Sequence, residues 1–213
     1  MFVVRKVHVG YAMRFLCRLE NQRKLKPGDA RALASTSYEA VRKYGADVGN
    51  LRVGSKAVEL DLLLASRDNL QASTHALEQK LGPLLTVREL DIKTPKMDVD
   101  RAIREGVELF NEERYWESHE ALESAWRQTL GSEKEMLQGI ILVAAALVHL
   151  QKDEGEVALS VMGRAQDKLR RHRGERFGID LDDFQENLSR MVAARKPEFF
   201  KIRARPYSSR AAA

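Results

Sequence analysis

Three observations predict an α+β chain in two parts. Apolar residues alternating with polar ones occur in the first 93 positions, whereas from residue 98 onward apolar residues recur at spacings of three and four. Between these regions Lys93-Thr94-Pro95-Lys96 interrupts both patterns with a proline and flanking charge. The predicted division is an α+β domain over residues 1–93, a linker over 94–97, an all-α helical bundle over 98–194, and a basic tail over 195–213 that is expected to be disordered.

Residues 2–9, Phe-Val-Val-Arg-Lys-Val-His-Val, are rich in β-branched side chains and predict a strand. Ala12, Phe15, Leu16 and Leu19 then recur at helical spacing, with Arg14 and Arg18 on the other side, until Lys26-Pro27-Gly28 breaks the pattern. A second helix entered near Asp29 carries Leu33, Ser37, Val41 and Tyr44 on one face and stops at Gly45. Leu51 to Val53, Gly54-Ser55, and Val58, Leu60, Leu62 and Leu64 alternating with Glu59 and Asp61 predict a hairpin with one buried face. Arg67 to Leu81 predicts a helix closed by Gly82-Pro83, and Leu85 to Ile92 a last strand. The order is βαββαβ, the ferredoxin-like order, with its first crossover helix split or lengthened. That order hosts many functions. Only Phe2 places an aromatic ring in a predicted strand, which disfavours base stacking of the RNA-recognition type.

The second part predicts helices over about 98–111, 113–130, 132–151, 153–171 and 181–194. Ser132-Glu133-Lys134-Glu135 is a capping box, and Asp153 to Glu156 is a weaker version of it. Short connections between long helices predict antiparallel neighbours.

Composition narrows the classes. With 213 residues, 44% of them hydrophobic, the chain can bury a core in each part. The single cysteine, Cys17, excludes an intramolecular disulfide and a thiolate metal cluster, and is read as packing. Arg5 and Lys6 interrupt the apolar N-terminus, so no signal peptide is expected. The longest uncharged stretch, around Met136 to Leu150, falls short of the roughly 18 to 20 residues that span a bilayer. The expected location is cytoplasmic, with no membrane contact. Residues 1–95 carry 16 Lys+Arg and 10 Asp+Glu, residues 96–194 carry 14 and 20, and residues 195–213 carry 6 and 1. A polyanion would therefore meet the two ends, through Arg14, Arg18, Arg23, Lys24, Lys26, Arg42, Lys43 and the tail.

The densest chemistry lies between Tyr115 and Trp126. On a helical wheel Tyr115, Leu122, Trp126 and Leu130 share the core face with His119 among them, Glu123 and Trp116 flank it, and Glu120 and Arg127 point further out. His119 and Glu123 form an i, i+4 pair able to hydrogen-bond or to ligate one ion. Their His-Glu-x-x-Glu spacing is similar to the zinc-protease His-Glu-x-x-His. A third group would come from the facing helix, where Gln138 and Gly139 fall level with Glu123 in an antiparallel pairing, and Gly139 would let the two backbones approach. His149 falls near Glu112 and Glu113. The residues leave open a packed core histidine, a metal or catalytic site, and a partner-binding groove.

Phe110-Asn111, Tyr115-Trp116-Glu117, His119-Glu120, Trp126, Leu137-Gln138-Gly139 and the run to His149 closely resemble a helical family catalogued as domain of unknown function 309, over about residues 98–175. The resemblance implies an all-helical domain, sometimes described as a predicted metal-dependent hydrolase. It places Glu117, His119, Glu120, Glu123, Trp126, Gln138 and His149 on motif positions. The family often has glycine at the position of Glu113. In the hydrolase reading His119 and Glu123 hold a divalent metal ion, Glu120 is the general base, and Gln138 orients the site, with Trp116, Trp126 and His149 around it. The rival is a non-catalytic module that binds a partner or forms a homo-oligomer, with basic segments touching nucleic acid. The N-terminal domain and the tail lie outside the resemblance.

Overall fold

A computed structural model describes residues 11, 13–90 and 97–204. The predicted strand over 2–9 and most of the predicted linker lie outside these residues. The chain divides into two compact units, residues 1–94 with 151–153 and residues 95–150 with 154–213.

The N-terminal unit has the order β1 (Met13–Glu20), α1 (Ala30–Val41), β2 (Ala46–Val53), β3 (Ala57–Leu64), α2 (Leu70–Leu81) and β4 (Leu84–Glu89). Its four strands form one sheet in the order β2-β3-β1-β4, every neighbouring pair antiparallel. The helix expected over residues 12–19 is instead β1. A period of two wins there because Phe15, Cys17 and Leu19 line one buried face, while Arg14 and Arg18 face acidic partners on the neighbouring strand. Arg14 Nη2 lies 2.9 Å from Asp61 Oδ2, and Arg18 Nε lies 3.4 Å from Glu59 Oε1. A helical reading offers the two arginines no such cross-strand partners. The first crossover therefore contains a single α-helix, α1. Gly82, at φ +132°, turns α2 into β4 so tightly that a Cβ there would stand 2.4 Å from the Glu20 carbonyl oxygen.

The hairpin forms, with Val53 paired to Val58, but the expectation of one buried sheet face is corrected. Glu59 and Asp61 are buried along with the leucines they alternate with. They share a charged layer with Arg52, itself 1% exposed, whose guanidinium stands 3.5 Å from Glu59 Oε2 and from Asp61 Oδ1. The Asn50 amide donates to Asp61 Oδ2 at 2.7 Å. The apolar face packs Phe15, Cys17, Leu19, Val58, Leu60 and Leu62 with Leu33 and Val41 of α1 and Leu77 and Leu81 of α2. Burial, with the charge of Asp61 adding to it, pushes the Cys17 thiol up to about 12, so it is an inert packing group.

The second unit is helical: α3 (Val99–Asn111), α4 (Tyr115–Trp126), α5 (Gly131–Gln151), α6 (Gly155–Leu169) and α7 (Leu181–Ala193), with a short hairpin of β5 (Glu175–Arg176) and β6 (Ile179–Asp180) between the last two. No helix among the described residues is long and apolar enough to cross a membrane. Asp98 opens α3 by accepting from the Arg101 amide at 2.9 Å. The cap expected from Asp153 to Glu156 does not form, since Asp153 has φ 64° and α6 has no side-chain cap. Asp153 instead closes α5.

Three helices of this unit end in the same way. After α3 the Glu113 amide bonds to the Phe110 carbonyl at 3.0 Å and the Arg114 amide to the Leu109 carbonyl at 2.9 Å, with Glu113 at φ 63°. This is a Schellman closure whose left-handed residue is ordinarily glycine. After α7, Arg195 at φ 49° and the Lys196 amide on the Met191 carbonyl repeat it, and after α5 Asp153 and the Glu154 amide on the His149 carbonyl do so again. The glycine implied at position 113 is thus replaced without loosening the turn, at the cost of a strained glutamate. Glu113→Gly is expected to raise the urea midpoint of the helical unit, corresponding to about 1 kcal/mol. A lowered midpoint would show that the Glu113 side chain contributes more than its backbone costs.

The first half of the basic tail is packed, contrary to expectation. Past α7, residues 196–204 run outside any helix as a strap in which Ile202 is buried and Phe199 and Phe200 pack against the helical core. The strap adds to the hairpin through an Ile179 to Ala204 bridge. Charge alone predicted solvation, but three large apolar side chains in four residues outweigh it. Residues 205–213 lie outside the described residues.

Candidate functional site

The turn between α3 and α4 fixes the first residues of the signature. Asn111 ends α3 with its side chain facing the strap: its amide donates to the Ile202 carbonyl at 3.0 Å, and its oxygen accepts from the Ile202 amide at 2.7 Å. Phe110, fully buried, sits edge-on to Tyr115 with ring centroids 5.0 Å apart and to Phe200 at 5.3 Å. Phe184 joins Phe200 at 5.4 Å, and Phe199 lies 5.8 Å from Tyr115. Phe110, Asn111 and Tyr115 are therefore the receptor for the strap. The Tyr115 hydroxyl is buried without a hydrogen-bond partner among the described residues, and burial raises its pKa far above the usual phenol range.

The first turn of α4 is held by charge. Arg114 grips the buried Glu117 carboxylate with two parallel bonds, Nε to Oε2 at 2.7 Å and Nη2 to Oε1 at 2.9 Å, and reaches Glu112 Oε2 at 3.1 Å. The hydrogen bond to Glu117 raises the Arg114 pKa, although partial burial opposes it. Ser118 donates to the Gly106 carbonyl of α3 at 2.7 Å. Gly106 must be glycine, because a Cβ there would stand 2.6 Å from Leu122 Cγ. Ser118 thus ties α4 to α3, while Arg114 braces the first turn of α4 through Glu117 and its link to α3 through Glu112.

His119 is half-buried on α4, one turn beyond Tyr115. Burial lowers its pKa below the usual imidazole value, with the Glu123 charge opposing and that of Arg127 adding, so the ring is neutral at pH 7. Glu123 is half-buried and its Oε1 receives Arg127 Nη2 at 3.0 Å. Glu120 is exposed. Trp116 and Trp126 are half-buried against the core. The Trp126 indole N–H is buried without a hydrogen-bond partner among the described residues, and Lys134 Nζ stands 4.3 Å from its ring centroid. Gln138 is half-buried on α5. The close approach expected at the neighbouring Gly139 is to α6, since a Cβ there would meet Leu169 Cγ at 2.5 Å. His149 meets the Glu154 carboxylate through Nδ1 at the end of α5.

Among the described residues no three His, Cys, Asp or Glu side chains come together as a metal-ligand group. Arg114 and Asn111 enter the site only through their partners in the structure. The i, i+3 spacing of Arg114 and Glu117 is a visible charge signal, whereas the partner of Asn111 lies 91 residues away.

The neutral His119 has a consequence for pH. Its folded pKa lies below the ordinary 6.5, so the unfolded chain takes up a proton first as pH falls. The sign follows from linkage: its contribution is complete above about pH 6.5 and is lost between that value and the lower folded pKa. His119→Gln is expected to lack this loss. Urea midpoints followed by tryptophan fluorescence at about pH 7.5 and pH 5.5 should fall less in the variant than in the parent. An equal fall would place the acid sensitivity elsewhere.

No curated protein matches the chain. Residues 103–161, from the first turns of α3 through α4 and α5 into α6, match the family described as Domain of unknown function (DUF309), and the helical unit of this chain carries that domain.

Proposed function

We propose that the helical unit is a non-catalytic interaction module and that basic segments of the chain contact nucleic acid. The observation that carries this reading is where the signature's polar side chains go. Asn111 bonds to the strap backbone, Glu117 to Arg114, Ser118 to the Gly106 carbonyl and Glu123 to Arg127. The motif works as a set of internal fastenings, which explains its density without a reaction. The N-terminal unit is read as ferredoxin-like, supported by its βαββαβ order and the strand order β2-β3-β1-β4. Binding to a mixed-sequence oligonucleotide should be salt-sensitive and unchanged in His119→Ala. No binding at low salt, or binding lost with His119, would overturn the reading.

A second reading keeps His119 and Glu123 as donors to a divalent ion beside Glu120, and the neutral imidazole favours it. Such an ion would act as a Lewis acid on a bound water or carbonyl. The donor set fits poorly. A catalytic zinc takes three protein ligands, the Glu123 carboxylate is already bonded to Arg127, and Glu120 is exposed. Equal metal content in untagged protein and folded His119→Ala would remove this reading, and a stoichiometric ion lost with His119 would restore it.

A further inference from the structure

We infer that the last turns of α6 and the turn that follows, Arg164 to Arg176, form a phosphate-binding surface for a nucleic-acid backbone. The inference rests on the interaction-module reading and gives it a location. This stretch holds six Lys+Arg and two acidic residues, although the region around it is acidic overall. Arg164 and Lys168 stand at i and i+4 on one face of α6, and Arg170 and Arg171 follow directly at its end. Arg164, Arg170, Arg171, Arg173 and Arg176 are all exposed. The ion pairs here are loose, with Lys168 at 3.7 Å from Glu135 and Arg173 at 3.9 Å from Asp182. Arg164, Arg170, Arg171 and Arg176 have no carboxylate partner among the described residues.

The turn that carries these charges is held from beneath. Gly174, at φ 69°, donates its amide to Asp182 Oδ2 at 3.0 Å and accepts from the Leu181 amide at 3.0 Å. Gln185 donates to the His172 carbonyl at 2.6 Å and accepts from Arg173 at 2.6 Å. Arg176 then pairs with Ile179 in the small hairpin. The backbone under the guanidinium groups is thus ordered before any ligand arrives, which lowers the entropic cost of binding.

Two features favour a nucleic acid over a membrane surface. The cations are five arginines to one lysine, and the planar guanidinium bonds phosphate oxygens in pairs. The exposed large apolar residues among those described, Tyr38, Leu85, Leu130 and Val157, all lie outside this stretch, while Phe177 packs on the core. A bilayer would gain no apolar anchor here. From Arg164 to the end of α6 at Leu169 is about 7.5 Å of helix at 1.5 Å per residue, and Arg170 and Arg171 extend the charge beyond it. That reaches several phosphates of a duplex carrying one charge per roughly 1.7 Å of axis.

The test uses the full chain and fluorescein-labelled, mixed-sequence RNA and duplex DNA of about 24 nucleotides or base pairs, titrated across a salt series. One variant carries Arg170→Gln, Arg171→Gln and Arg176→Gln. A charge-matched control carries Arg31→Gln, Lys56→Gln and Lys80→Gln, all exposed positions on the N-terminal unit. The parent should bind duplex with a log–log salt slope of about −3 to −4. The first variant should lose about tenfold or more in affinity and flatten the slope by about 2.7, and the control should change neither. Equal losses in both variants would reduce the effect to net charge and overturn the proposal. Full retention in the first variant would overturn this location while leaving the module reading intact, and failure of the parent to bind either probe would overturn both. Binding to phosphatidylserine vesicles but to neither oligonucleotide would make the surface a membrane contact and also overturn it.

Discussion

Phe110→Ala is expected to destabilise the helical unit by about 4 kcal/mol, the range for removing a fully buried phenyl ring from a close-packed site. The ring touches Tyr115, Phe184 and Phe200 at centroid distances of 5.0, 6.3 and 5.3 Å, so its loss opens a cavity bordered by three aromatic groups on three different segments. The strap should loosen with it, because Phe200 loses a partner and Ile202 is then held by Asn111 and the small hairpin. Trp116 and Trp126, the two tryptophans of the chain, both lie in α4, so fluorescence reports on this unit. Urea unfolding should show the lowered midpoint, and limited proteolysis should show new cleavage between residues 196 and 204. Phe110→Leu should cost much less, about 1 kcal/mol, since it refills most of the volume. Similar costs for Phe110→Ala and Phe110→Leu would mean that the aromatic cluster does not hold the strap.

Arg52→Met should cost the N-terminal unit about 3 to 5 kcal/mol. The substitution keeps the apolar stem and removes the guanidinium, leaving Glu59 and Asp61, 2% and 1% exposed, without a charge both of them share. Asp61 retains Arg14 and Asn50, whereas Glu59 retains Arg18 at 3.4 Å, so Glu59 is left the more exposed to the penalty. Restoring neutrality should recover much of the loss: Arg52→Met with Glu59→Gln is expected to be more stable than Arg52→Met alone, because no buried carboxylate is then left uncompensated. Cys17 provides the measurement. It is the chain's only cysteine and is fully buried in this unit, so its labelling rate in rising urea reports the opening of the sheet. If Arg52→Met labels no faster than the parent, the charged layer is not holding the strands.

What could be read from the sequence follows the range of the interactions that decide each element. The β2–β3 hairpin, α1, α2 and the five helices of the second unit are set by local periodicity, and they appear within a few residues of their expected bounds. The stretch Met13 to Glu20 fits both periods, with Phe15, Leu16 and Leu19 at helical spacing and Phe15, Cys17 and Leu19 at strand spacing. The choice is made by Glu59 and Asp61, more than 40 residues away, and no local pattern contains them. The strap fails in the same manner. The tail that contains it, with six Lys+Arg in residues 195–213, describes a solvated segment until Phe110 and Asn111 are placed beside the strap. Of the candidate site, the i, i+4 neighbourhood of His119 and Glu123 was visible, and the electrostatic coupling of the two follows it. Arg127 engages Glu123 at the same spacing one turn later, and spacing alone does not decide which of the two neighbours the carboxylate takes.

The strap also sets an order for synthesis. Asn111 and Ile202 are separated by 91 positions, and Phe110 leaves the ribosome well before the rings that cover it. At roughly 5 to 20 residues per second, the end of α3 and the start of α4 remain without Phe199, Phe200 and Ile202 for several seconds. The N-terminal unit has its sheet residues in hand by then, whereas the helical unit carries an open aromatic trough until its final segment emerges. Nascent chains stalled short of Phe199 are therefore the species in which Phe110 and Tyr115 meet solvent or a chaperone.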